Sequence, residues 1–69
     1  MKIFTAIIER DIETNLYVGH IPGFPGAHSQ GKTIDKLQEN LREVLEMLLE
    51  DENFSFTTQF VGTQQIVLQ

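Results

Sequence analysis

Residues 21–33, Ile-Pro-Gly-Phe-Pro-Gly-Ala-His-Ser-Gln-Gly-Lys-Thr, constrain this chain more than any other stretch. Pro22 and Pro25 carry no N–H, so a β-ladder arriving along residues 16–21 cannot run regularly through them. Gly23 and Gly26 accept positive φ, which lets the backbone fold back sharply. Gly31-Lys32 then makes a second turn, and the Thr33 hydroxyl is placed to cap a helix starting at Ile34. The order is strand, rigid Pro/Gly corner, short strand, glycine turn, capped helix.

On either side of this stretch the periodicities are simple. Residues 2–9 place Ile3, Thr5 and Ile7 on one face and Phe4, Ala6 and Ile8 on the other, the pattern of a central strand covered on both sides. Residues 10–15 are polar, with Asp11 and Asn15, and read as a hairpin loop. Residues 16–21 return as a strand, with Leu16, Val18 and His20 opposite Tyr17, Gly19 and Ile21. Residues 27–30 form a third, shorter one. Ile34, Leu37, Leu41, Val44, Leu45 and Leu48 recur at spacings of three and four, which predicts a helix over 34–51 with one buried face. Glu39, Arg42, Glu43 and Glu46 fall opposite, with Arg42 and Glu46 spaced for an i,i+4 pair. The ending Glu50-Asp51-Glu52 opposes the helix dipole and asks for a reason. Asn53 is expected to break the helix. Residues 54–68 alternate again and predict either a hairpin turned at Gly62-Thr63 or one long strand with a glycine bulge. The expected fold is a single α+β domain over 1–69, β-β-β-α-β, an antiparallel sheet with one helix on one face.

With 69 residues and no cysteine, the chain has neither a large core nor a disulfide to support it. Oligomerisation is the remaining route, so a homodimer or higher oligomer is expected. Apolar surface on the side of the sheet away from the helix, extended by Met47 and Leu49, is the expected partner or dimer face. No apolar run approaches the ~20 residues of a membrane span, and Met1-Lys2 leads straight into a strand, so a cytoplasmic protein is expected, without membrane contact. Ten acidic against five basic residues give a net charge of −5, and the basic ones are scattered. Direct nucleic-acid binding by the monomer, which needs clustered Lys and Arg against phosphates, is not expected; a basic protein partner suits this balance better.

The residues also resemble a known family. Tyr17-Val18 leading into Ile21-Pro22, then Phe24-Pro25-Gly26, Ser29-Gln30-Gly31, Thr33 and an acidic amphipathic helix are together similar to the HicB family of small bacterial and archaeal antitoxins, over residues 1–52. Gly23 stands where that family often has Asp or another polar residue, and Leu37 where it often has Ala. The resemblance implies a reduced ribonuclease H-like fold and neutralisation of a small basic HicA-like RNA-cleaving toxin by covering its RNA-binding surface and catalytic histidine. Many members add a C-terminal DNA-binding domain, which this chain is expected to lack. The expected partner-contacting residues are Phe24, His28, Glu39, Glu43, Glu46 and Met47, with Pro22, Pro25, Gly26, Gly31 and Thr33 as structural corner and cap.

Other chemistry finds little to build on. His20 and His28 flank the corner but lack a third metal ligand. Glu9 is the one acid inside an expected strand, so no carboxylate cluster for two-metal hydrolysis assembles. Ser29 beside His28 points to the opposite face of a strand, which rules out a nucleophile–base pair. Residues 26–33, Gly-Ala-His-Ser-Gln-Gly-Lys-Thr, satisfy the phosphate-loop expression GxxxxGK[ST] literally. That motif works after a buried parallel strand in a βαβ unit, and here it follows a Pro-Gly corner, so a chance match is expected. The expected function is therefore a binding protein with no catalysis and no cofactor; the alternative is a stand-alone oligomeric interaction module, and a phosphate- or nucleotide-binding protein is third.

Overall fold

The computed structural model describes residues 2–51 and 53–69. Among them the chain forms β1 (Ile7–Arg10), β2 (Tyr17–His20), β3 (His28–Gly31) and α1 (Ile34–Leu48). The strands make one antiparallel sheet in the order β1-β2-β3. This is the expected α+β class and order as far as the helix. No helix among the described residues is long and apolar enough to cross a membrane.

Two adjacent turns build the corner between β2 and β3. The Phe24 N–H donates to the Ile21 carbonyl at 3.1 Å, around Pro22-Gly23, and the Ala27 N–H donates to the Phe24 carbonyl at 3.1 Å, around Pro25-Gly26. Gly23 and Gly26 have φ of 78° and 83°. Proline second and a positive-φ glycine third is the chemistry of a type II turn, here used twice in succession. The Ile21 N–H closes the corner on the Ala27 carbonyl at 2.9 Å. At the other hairpin, Asp11 Oδ1 accepts the Glu13 N–H at 2.9 Å and Asn15 takes φ 62°, the local roles these two residue types favour in loops.

β1 is an edge strand, not the central one, and it is half as long as its alternation suggests. The register pairs Ile7 with His20 and Ile8 with Gly19. One step further would set Ala6 opposite Ile21, and the next would set Thr5 opposite Pro22, which has no N–H to give and turns away. Residues 3–6 therefore continue without a ladder partner in β2.

α1 begins where its cap predicts. Thr33 is extended (φ −132°, ψ 163°) and its Oγ1 accepts the Lys36 N–H at 3.0 Å, while Asp35 sits in the first turn where the helix dipole favours an acid. Thr33→Ala is expected to cost about 1 kcal/mol in urea unfolding, with Thr33→Ser retaining most of it. The helix ends at Leu48, three residues before the expected Asp51, with Leu49 as its C-cap. Asp51 instead shapes the turn that follows, since its Oδ1 accepts the Asn53 N–H at 2.9 Å and its carbonyl accepts the Phe54 N–H at 3.2 Å. The acid that opposes the dipole steers the chain back toward the core. Glu52, the third acid of that ending, lies outside the described residues, as does Met1.

Leu37, fully buried, and Leu41 pack over Gly19 of β2, whose missing Cβ leaves room for both. Ile21, Phe24 and Ala27 make a second buried group at the corner, joined by Phe4, Leu45, Leu48, Leu49 and Phe54. Phe24 lies at its centre, with ring centroids of Phe54, Phe56 and Phe4 at 4.0, 5.5 and 6.0 Å. The expected strand over 54–68 does not form among the described residues. Instead Phe54 lies tilted against Phe24, Phe56 meets Phe24 edge-on, and the Thr57 N–H donates to the Gly23 carbonyl at 2.8 Å. Gly62-Thr63 accordingly turns no hairpin.

Candidate interaction surfaces

The register sorts the sheet into two faces. Ile8, Gly19 and Ser29 form one cross-strand row and Arg10, Tyr17 and Gly31 the next; both lie on the face that meets α1, as the Leu37 and Leu41 contacts at Gly19 establish. The other face carries the rows Ile7-His20-His28 and Glu9-Val18-Gln30. Ile7 and Val18 are half-buried there, while both histidines, Glu9 and Gln30 are exposed. This face is mixed in character rather than the continuous apolar surface the sequence suggests. His20 and His28 are direct cross-strand partners, and among the described residues no group of three metal-ligating side chains gathers.

A second surface is the outer side of α1. Glu39, Glu43 and Glu46 are all exposed and fall within ~60° of one another around the helix axis, opposite Leu37 and Leu41, and Glu50, also exposed, follows just past the helix end. Among the described residues the ion pair formed is Lys36–Glu39, at 3.6 Å with both side chains more than half exposed. The expected Arg42–Glu46 pair is not made. The outer acids therefore stand close together with little compensation, and the helix presents a negative stripe.

The third surface is a groove. α1 packs on β2 and β3 but leaves β1 uncovered, so an apolar channel of about 680 Å³ opens between them, walled by Phe4, Ala6, Ile8, Ile34, Leu41 and Leu45. Leu49 closes one end and belongs to the core cluster. Met47 is 63% exposed on the opposite flank of the helix, on the side where the Asn40 Nδ2 donates to the Gln30 carbonyl of β3 at 2.7 Å.

The expected partner residues therefore separate. Glu39, Glu43 and Glu46 share one stripe with Met47 beside it, and His28 lies on the far face of the sheet. Phe24 is 5% exposed and serves the core, leaving a partner almost nothing to touch. Pro22, Pro25 and Gly26 hold the double turn, and Gly31 and Thr33 the approach and cap of α1, as expected. Within the phosphate-loop match, residues 28–31 are β3, and their backbone pairs with β2. Sequence reasoning missed the groove, whose walls are distant in sequence; the lone hint was that one helix is too narrow to roof three strands.

A three-stranded antiparallel sheet half-roofed by an acidic helix defines a small α+β domain of β-β-β-α order. The chain belongs to the UPF0150-like family, whose model matches residues 5–52. A UPF0150 protein of Thermotoga maritima is 44% identical over 69 residues, covering 99% of this chain and 92% of the relative. One from Synechocystis is 43% identical over 65 residues (94% and 93%), and one from Archaeoglobus fulgidus 36% over 63 (91% and 90%). The span matched by the family model covers the sheet, the double turn and the whole of α1.

Proposed function

We propose that this chain is a HicB-like antitoxin, with a reduced ribonuclease H-like domain, that binds and neutralises a small basic HicA-like RNA-cleaving toxin. The observation that carries the reading is the exposed stripe Glu39, Glu43 and Glu46, with Glu50 just past the helix end, on a molecule of net charge −5. Such a stripe matches the potential of a surface evolved to hold RNA, steers association and competes with phosphate for the same cations. Inhibition then needs no chemistry from this chain: covering the toxin's RNA-binding surface and catalytic histidine is enough.

Co-expression with the short basic protein of a neighbouring reading frame tests this. Toxicity of that protein alone, relieved by this chain, supports the reading; a neighbour that is harmless alone defeats it. The charge-reversed variant Glu39→Lys/Glu43→Lys/Glu46→Lys is expected to weaken toxin binding at least ~100-fold, mostly through slower association, and to flatten its salt dependence. Unchanged affinity in stopped-flow or calorimetric titration would place the contact elsewhere. A second reading, a stand-alone oligomeric module without a toxin, is favoured by the open groove beside β1.

A further inference from the structure

The same chain carries an uncovered groove and an uncovered apolar segment. Along the groove, Ile8 is 45% exposed although its cross-strand neighbour Gly19 is sealed beneath the helix. Among the described residues nothing pairs with the outer edge of β1, so a row of its N–H and C=O groups faces solvent. Toward the C-terminal end of the sequence, Val61, Ile66, Val67 and Leu68 are 94%, 76%, 86% and 89% exposed. A Cα radius of gyration of 13.7 Å exceeds the ~11 Å of a compact chain this long, and the longest dimension, 47 Å, is well above the other two, 27 and 20 Å. Ile66 and Val67 are β-branched strand-formers, and residues 64–68 are long enough to span the four residues of β1.

We propose that residues 61–69 of one copy lie along the outer edge of β1 in a second copy and cover its groove, each copy giving and receiving one segment. Three observations select a second copy as the occupant. The chain is already pinned at Thr57, whose N–H and hydroxyl both donate to the Gly23 carbonyl, and beyond Phe60 every residue is exposed; its own segment leaves the domain instead of returning to β1. Reciprocity is the second: one interface type satisfies both the free edge and the free segment of both molecules, and closes on itself around a two-fold axis. The third is charge. Residues 53–69 contain no Asp, Glu, Lys or Arg, so the donated segment brings no charge of its own to the groove, whose rim carries Lys2, Arg42 and Glu46 of both signs, and two molecules of net charge −5 meet where their mutual repulsion is least. Added as a strand, the segment supplies backbone partners to β1 and sets alternate side chains, Ile66 and Leu68, into the apolar channel.

This pairing is independent of any toxin and is tested on the full chain alone. Light scattering at micromolar concentration is expected to give at least twice the 7.9 kDa chain mass. Ile66→Asp/Leu68→Asp is expected to run as a monomer with unchanged helical circular dichroism, since the single chain buries neither side chain. The absence of native cysteine allows a direct register test: Ile8→Cys and Ile66→Cys placed in separate chains, mixed by co-refolding and oxidised, are expected to give a heterodisulfide. Three results would overturn the proposal: a monomeric parent chain, a double-Asp variant that stays dimeric, or, with both cysteines in one chain, a disulfide formed within that chain. A monomer whose Ile66 becomes protected only when a toxin is added would assign the groove to the toxin instead.

Discussion

Phe24→Ala is expected to cost about 3–5 kcal/mol in urea or thermal unfolding, enough to leave a large unfolded fraction at 37 °C. A domain of 69 residues has only ~3–10 kcal/mol in total, at the usual stability per residue. Phe24 is 5% exposed, sits between two type II turns and touches the rings of Phe4, Phe54 and Phe56. Truncation would open a cavity and remove the aromatic contacts that, with the Thr57 hydrogen bonds to the Gly23 carbonyl, hold residues 54–58 on the domain. Ile12→Ala, on a side chain 87% exposed in the β1–β2 loop, is the matched control and is expected to change stability by less than ~0.5 kcal/mol. A Phe24→Ala cost below ~1.5 kcal/mol would show that the aromatic cluster is not the core it resembles. Such a variant will also mimic a loss of partner binding by unfolding, so binding should be probed on the Glu39–Glu43–Glu46 stripe.

What the sequence makes legible follows the range of the interactions. The double turn, the Asp11 loop, the Thr33 cap and the Leu37/Leu41 face of α1 each depend on residues within four positions of one another, and each is where local chemistry places it. The misplaced features depend on distant partners. Alternation through residues 2–9 marks a segment able to be a strand, but its length is set by where β2 meets Pro22, and its edge position by β3 lying on the other side of β2. The alternation of Phe54 and Phe56 serves ring contacts with Phe24, thirty positions earlier for Phe54, rather than a fourth strand. Phe24 reads as a surface candidate for the same reason, since its covering residues come from the far end of the chain. On α1, Lys36 reaches Glu39 and Arg42 does not reach Glu46; exposed pairs at either spacing are nearly equal in energy, so periodicity does not choose between them.

Gly31→Ala is expected to cost about 3 kcal/mol, although it adds a single methyl group. A Cβ at this position would meet the Leu37 nitrogen at 2.7 Å, the Lys36 carbonyl carbon at 3.0 Å and the Leu37 Cα at 3.1 Å. All three are backbone atoms of the first turns of α1, and none can rotate aside. That backbone is fixed from both ends: the Leu37 N–H donates to the Thr33 carbonyl at 2.9 Å, and the Leu37 side chain is fully buried over Gly19. The helix must lift from β3, shedding contacts of Leu37 and Leu41 together. Gly19→Ala separates crowding by side chains from crowding by backbone, because its Cβ would meet the tips of two side chains most closely, Leu37 Cδ2 and Leu41 Cδ1, each at 3.2 Å. Those tips can yield, and the lower unfolded-state entropy of alanine offsets ~0.4–1 kcal/mol, so Gly19→Ala is expected to cost under ~1 kcal/mol. Neither glycine has positive φ, so backbone strain does not enter the comparison. If both variants unfold at the same urea concentration, the close approach of α1 to β3 is wrong. With it would go the tilt that holds the helix over β2 and β3 and leaves the groove beside β1 open.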